Sequence, residues 1–353
     1  MRLVSTAAAP RLIPPSELPA RASRTRERAA TAARLSGSEV RVLYRAPPMS
    51  AADALARTRA AALARACFVF NGFILANIML GALVRAHGAG LACPDWPLCF
   101  GEVVPQFDFK VAWEVSHRYV GWAFGVTFLT LGALILRDAT LRRVAGATWG
   151  VSFALLAVQG LLGALTVWHL LASWSVTSHL IVGNVWNASV LWLGLTLRAF
   201  ARGEPAPAPL ARAARWSVAL SALFLFFQVF LGSQLSSRYA GLACWRWPAC
   251  YDERWFPVWG MSDPVGLHVH HRANGYLLAL FVLSMVWATR AIPQISKKAR
   301  LAAVLVFVQI AVGVANVLLE LRVEITALHT ALAGALVLTL TSCTRVAFAK
   351  ETR

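Results

Sequence analysis

Residues 89–99 read AGLACPDWPLC, and residues 240–250 read AGLACWRWPAC. In each, two cysteines six positions apart flank a Trp-Pro, and each stretch closes an apolar run. The likeness extends outward in both directions. LGALVRAHGAGLAC (80–93) matches LGSQLSSRYAGLAC (231–244) at an offset of 151, and SHRYVGW (116–122) matches HHRANGY (270–276) at 154. VQGLLGALTV (158–167) matches VQIAVGVANV (308–317) at 150, and TSHLIVG aligns with ALHTALAG at the same offset. Four matches in one order at nearly constant spacing mark a tandem duplication, and a repeat of this kind must be found before any fold is assigned.

The duplicated unit is a membrane unit. The chain has 353 residues, 58% hydrophobic and 14% charged, with a mean hydropathy of +0.60; this is too apolar for a soluble globular protein. A span needs roughly 20 mostly apolar residues, and eight runs qualify: 66–86, 112–136, 147–167, 176–199, 216–236, 265–289, 300–319 and 325–347. The expected fold class is an all-α polytopic membrane protein, its eight transmembrane helices forming two pseudo-symmetric tandem four-helix bundles. An even number of spans per half gives the halves the same orientation, as in parallel repeats.

A net charge of +18 raises nucleic acid as a partner. The charge, however, falls between apolar runs, as in loops facing anionic membrane lipid, and no soluble domain remains to present a basic face. Nucleic acid is therefore not an expected partner. The connections at 137–146, 198–215 and 290–300 hold Arg137, Arg142, Arg143, Arg198, Arg202, Arg212, Arg215, Arg290, Lys297, Lys298 and Arg300. The loop at 168–175 is uncharged. The positive-inside rule then expects both termini in the cytoplasm and both cysteine loops outside. Residues 1–48 carry nine arginines and three acidic residues. They read as a disordered tail or as sequence ahead of a start at Met49; an Arg-rich transit peptide is the other reading, and a cleavable secretory signal is not. The expected organisation is a basic tail (1–60), a first half (61–200), a cytoplasmic linker (201–214), a second half (215–347) and a cytoplasmic tail (348–353).

Four of the eight histidines fall inside spans at repeat-related positions: His117 with His271, and His179 with His329. Each lies early in an even-numbered span, so all four sit at one depth near the outer face. Ionisable residues inside spans are costly and face the bundle interior. Polar glue between helices is one reading. The other is iron ligation, two imidazoles from different helices clasping a haem. Zinc would need a third and fourth ligand, which neither half offers compactly. Gly121, Gly125, Gly183, Gly275 and Gly334 leave room for a flat macrocycle or for ordinary close helix packing. Arg118 and Arg272 follow their histidines directly, placed to pair with a haem propionate or to snorkel to the interface. Glu114 lies three residues before His117, on the same helix face, where the second half has His268. A carboxylate there is a candidate general base; its alternative is an interfacial partner of Arg118. The remaining histidines, His87, His169, His268 and His270, read as solvated or interfacial.

With G-A-G-L-A-C-P-D-W-P-L-C, E-V-S-H-R-Y-V-G and the histidines of spans four, six and eight in order, the chain resembles the haem A synthase family over residues 66–347. The resemblance implies two pseudo-symmetric four-helix halves in a bacterial cytoplasmic membrane. The implied reaction is oxidation of the position-8 methyl group of haem O to a formyl group, giving haem A for terminal oxidases. It implies that His117 and His179 mark the site of haem O, the substrate, with haem A the product. His271 and His329 would ligate a haem b, and Glu114 would be catalytic. The family's first-loop cysteine pair falls on Cys93 and Cys99, here spaced C-x5-C. Expected partners are haem O, membrane lipid, an electron-transfer partner, haem O synthase and oxidase assembly factors.

Cysteines six apart outside the membrane can bridge if the segment turns back, as Pro94, Pro97 and Pro248 favour. Cys93–Cys99 and Cys244–Cys250 are thus candidate disulfides, either staples holding each loop as a lid or reversible thiols. Cys67 and Cys343 read as packing residues. Other functions stay in view: a di-haem b-type membrane electron carrier, a membrane thiol oxidoreductase using the loop cysteines, or a transporter.

Overall fold

The computed structural model describes residues 50–205, 207–251, 253–255, 257 and 260–348. Among them lie eight α-helices: α1 Ala51–Ala86, α2 Phe109–Arg137, α3 Ala139–Trp168, α4 Ser173–Arg202, α5 Arg212–Ser237, α6 Pro264–Thr289, α7 Pro293–Leu318 and α8 Val323–Phe348. All eight are long and apolar enough to cross a membrane, so the chain is a multi-pass membrane protein. Helices are the natural solution there, because a helix satisfies its own backbone polar groups in lipid.

The eight expected spans are all present, but most helices run past their apolar stretches. α1 begins at Ala51, fifteen residues before the apolar run, and carries Arg57, Arg59 and Arg65 in that extension. Residues 51–60 of the expected tail are therefore helical, while residues 1–49 lie outside the described residues. Helix starts are set by local chemistry. Asp108 accepts from the N–H groups of Lys110 and Val111 to open α2, and Asp138 does the same for Thr140 and Leu141 at α3. Asp263 caps α6, with Pro264 at the first helical position. Side-chain oxygens there satisfy N–H groups that have no intrahelical partner. Gly203, at φ +61°, closes α4 in the left-handed conformation, which glycine adopts without steric cost.

Each half packs as a four-helix bundle. The core of the first half is aromatic away from its cysteine loop, where Phe70, Phe124, Phe128 and Trp186 pack ring on ring. The positions matching Phe124, Phe128 and Trp186 in the second half are Leu278, Val282 and Leu336, all buried. The halves meet through α4, which packs against α5 and α8. Repeat-related residues touch across this interface. Arg85 Nε donates to Ser236 Oγ at 2.7 Å, and Asn184 Oδ1 lies beside Gly334. A residue that meets its own counterpart lies close to a two-fold axis, so the duplication read from sequence is a pseudo-two-fold in space.

Candidate haem sites under the cysteine loops

The short turns between α3 and α4 and between α7 and α8 place Leu171 and Leu321 at positive φ. Leu171 presses on Gly90, where a Cβ would lie 3.2 Å from it, and Leu321 presses on Gly241 at 2.9 Å. This contact explains the glycine of AGLAC in both loops. Beneath each loop the first cysteine is held by its backbone. Cys93 N–H donates to Glu114 Oε2 at 2.9 Å, and Cys244 N–H donates to His268 Nδ1 at 3.2 Å. The next turn of the helix supplies an arginine. Arg118 Nη1 donates to the carbonyls of Asp95 (2.7 Å) and Leu98 (2.6 Å), and its Nη2 pairs with Glu114. Arg272 donates to the carbonyls of Cys244 (2.7 Å), Arg246 (2.9 Å) and Ala249 (3.3 Å).

Both cysteine pairs are bridged, with Cα separations of 4.8 Å for Cys93–Cys99 and 4.3 Å for Cys244–Cys250. All four cysteines are buried under their loops. In the first loop Asp95 accepts from the N–H groups of Phe100 and Gly101. These bonds, that of Gly101 foremost, hold its carboxyl below the usual range. Arg246 stands at the matching place in the second loop. Cys67 and Cys343 are free and buried, in keeping with a packing role.

The four intramembrane histidines are placed by a device that the sequence reading missed. Each imidazole lies against a glycine of the preceding, odd-numbered helix: a Cβ would fall 3.1 Å from His117 at Gly81, 3.3 Å from His179 at Gly163, and 3.1 Å from both His271 at Gly232 and His329 at Gly313. One turn before each glycine stands a carboxamide: Asn77, Gln159, Gln228 and Gln309. Gln159 Nε2 is 3.2 Å from His179 Nε2, and Gln228 Nε2 is 3.3 Å from His271 Nδ1. Gln309 Nε2 donates to the His329 carbonyl at 3.0 Å. An amide followed four residues later by glycine thus recurs in α1, α3, α5 and α7, inside the repeat; the pattern was visible in the sequence but carried no chemistry until the imidazoles were seen against it.

Other expected site residues divide. Gly183 and Gly275 make room for the Gln159 and Gln228 amides, and Gly334 for Leu75, while Gly121 and Gly125 border open space. The arginines grip loop carbonyls. Glu114 is 5% exposed and engages both Arg118 and the Cys93 N–H. His268, read as solvated or interfacial, is instead buried at 3% exposure; taking the Cys244 N–H draws it under the loop, away from water. His87 is half-buried, stacked on Trp113, and His169 is exposed beside Trp174.

These residues fit a clasped macrocycle. The ring centroids of His117 and His179 lie 6.4 Å apart. Two metal–nitrogen bonds of about 2 Å each, plus two ring radii, give roughly the same span. Nδ1 of His117, His179 and His329 is buried with no hydrogen-bond partner, and such atoms are seldom left unsatisfied without a purpose. Among the described residues no three His, Cys, Asp or Glu side chains gather as a compact metal cage. The arrangement is one of facing imidazole pairs, with backbone drawn aside at a glycine so that each ring can sit at helix–helix contact distance.

The chain matches the family model of cytochrome oxidase assembly proteins (COX15-CtaA) over residues 64–341. It is 30% identical over 271 residues to a protein named heme A synthase from Halalkalibacterium halodurans, covering 74% of this chain and 89% of that one. It is 28% identical to a protein of the same name from Shewanella oneidensis, covering 76% and 91%. Against the heme A synthase of Alkalihalophilus pseudofirmus identity is 32%, over 61% and 72%. The ordered motifs, the family match and these relatives agree: the chain belongs to the COX15-CtaA cytochrome oxidase assembly family, the haem A synthase family.

Proposed function

We propose that this chain is a haem A synthase, an oxidoreductase that converts the position-8 methyl group of haem O to a formyl group. In this reading residues 61–200 form the substrate half, with haem O held between His117 and His179. Residues 215–347 form the electron-handling half, with a resident haem b between His271 and His329. When bound, that haem b supplies one-electron redox chemistry that no side chain can provide.

One observation carries the reading. The two halves share histidines, glycines, arginines and bridged loops, yet differ at the ionisable position one turn before the first histidine: Glu114 in one, His268 in the other. A pure electron carrier has no use for that difference. Glu114 is the carboxylate placed to act as general base, one turn before His117 and held in position by Arg118 and the Cys93 N–H. The Gly81 contact fixes the position of the His117 ring against α1. The bridged loop above lies over the site as a lid that excludes water, held by Arg118 through two carbonyls. Placement inside a bilayer suits an apolar, isoprenoid-bearing substrate.

On this reading both termini lie in the cytoplasm and the cysteine loops on the outer side of a bacterial cytoplasmic membrane, which the basic connections support through the positive-inside rule. Partners on this reading are haem O synthase as the source of substrate, an electron-transfer partner, and oxidase assembly factors as consumers of product.

The test is expression in a host that makes haem O but no haem A, followed by extraction and chromatography of the haems. Haem A is expected from the wild-type chain and should fall about 10²- to 10⁴-fold in Glu114→Gln, the range of a lost general base. Bound haem b with no product would point to an electron carrier.

A further inference from the structure

Three of the four carboxamides one turn before the glycines that the histidines lie against are glutamines; the fourth, Asn77, is one methylene shorter and stands where the second half has Gln228. The consequences are local and large. Gln228 is locked: its Oε1 accepts from Asn274 Nδ2 at 2.8 Å, and that same amide also donates to the Phe224 carbonyl. It reaches across to Gly275, where a Cβ would meet Gln228 Nε2 at 3.3 Å, and Gly275 is buried. One turn further along α6, Ala279 is buried as well. The wall beside His271 is therefore closed.

Beside His117 the same wall is open. Val120 replaces Asn274, so Asn77 has no amide to lock against, and its buried Oδ1 is without a hydrogen-bond partner. A Cβ at Gly121 would meet nothing within 4 Å, and neither would one at Gly125, which takes the place of Ala279. Both glycines are half-exposed. His117, Gly121 and Gly125 lie four residues apart on one face of α2, so the open space follows that face of the helix from the imidazole past both glycines. Its outer rim is lipid-facing, with Phe73 and Val126 exposed.

We propose that Asn77 is a specificity-determining residue. Its short side chain, with Gly121 and Gly125, leaves a channel beside His117 that admits the long isoprenoid substituent distinguishing haem O from haem b. Gln228 and Ala279 close the equivalent path beside His271 and reserve that site for the compact macrocycle. The chemistry of the occupant follows from the walls: uncharged, elongated, apolar and continuous with lipid. The inference rests on the two-haem reading above. Excluding a group by filling its space is a difference of affinities, and one methylene in an apolar pocket changes preference by roughly 10- to 200-fold.

The experiment measures haem composition of the purified full-length chain, expressed where haem b and haem O are both made. In Asn77→Gln, haem O plus haem A is expected to fall at least about tenfold relative to wild type, with haem b per chain unchanged. The raised KM for haem O should account for most of the lost conversion. The reciprocal variant, Gln228→Asn with Ala279→Gly, is expected to exchange part of its haem b for haem O, and it keeps the proposal testable should Asn77→Gln fail to accumulate. An Asn77→Gln chain with the wild-type haem ratio, or a reciprocal variant that holds haem b alone, overturns the inference while leaving the functional reading intact. A wild-type chain with neither haem O nor haem A overturns the functional reading, and the inference falls with it.

Discussion

The first and second halves of this protein share one scaffold and differ in a few side chains around their histidine pairs. Each has an amide and a glycine per odd helix, a histidine per even helix, a bridged loop, and an arginine that holds the loop by its carbonyls. Near the sites they differ at Glu114 against His268, Asn77 against Gln228, Val120 against Asn274, Gly125 against Ala279, and Asp95 against Arg246. The shared residues all place backbone or rings; the differing ones change charge, proton affinity or free volume. Duplication can keep a geometry while function diverges, because positioning depends on packing and backbone hydrogen bonds, whereas chemistry depends on a handful of side chains within reach of the ligand.

The comparison is broken most severely at the imidazoles. Removing either member of the second pair, by His271→Ala or His329→Ala, should lower copurifying haem b by at least about tenfold, by analogy with lost metal-site partners. His117→Ala or His179→Ala should abolish conversion while haem b stays bound. Quantifying each haem by chromatography and absorption distinguishes the two halves; equal loss in both would mean that they do not act as separate sites.

A smaller effect is expected at the loop grips. Arg272→Met leaves three carbonyls without their donor, and Arg118→Met leaves two and removes the ion pair of Glu114. A lost donor to a half-buried acceptor costs about 1–3 kcal/mol. Both variants should melt earlier in detergent, but only Arg118→Met should also slow conversion. If Arg272→Met slows it equally, the loops serve one function.

The smallest effect is one of pH. Asp95 has its carboxyl lowered by the Gly101 N–H first and by Phe100. A group of lowered pKa stabilises the folded loop above its ordinary value of 3.8 and loses that contribution as pH falls through the lowered one. Below pH 4 the first loop should therefore gain amide exchange before the second, which has Arg246 there. Hydrogen exchange over 89–101 against 240–250 reads the difference, and Asp95→Asn should remove it.

Much of this was legible without coordinates. Apolar runs of bilayer length gave all eight helices, since lipid leaves the backbone no other solution, although polar extensions such as residues 51–65 followed local helix chemistry that hydropathy does not report. Histidines at repeat-related positions were visible because intramembrane ionisable residues are rare. Less legible were relations made by approach. Arginines read as propionate partners or snorkelling groups hold carbonyls 20–28 residues away, and backbone carbonyls look alike in every sequence. His268 could not be known to be buried until the Cys244 N–H came within 3.2 Å of it.

The sequence by itself determined the class of the molecule, the duplication, the four imidazoles and the one carboxylate, because hydrophobic length, repeat offset and residue chemistry are properties of the chain. Only the tertiary structure decided which glycine each imidazole leans on, and that the space beside His117 is open while that beside His271 is filled. Free volume belongs to no residue; it arises where helices meet, and a single methylene between Asn77 and Gln228 changes what can enter.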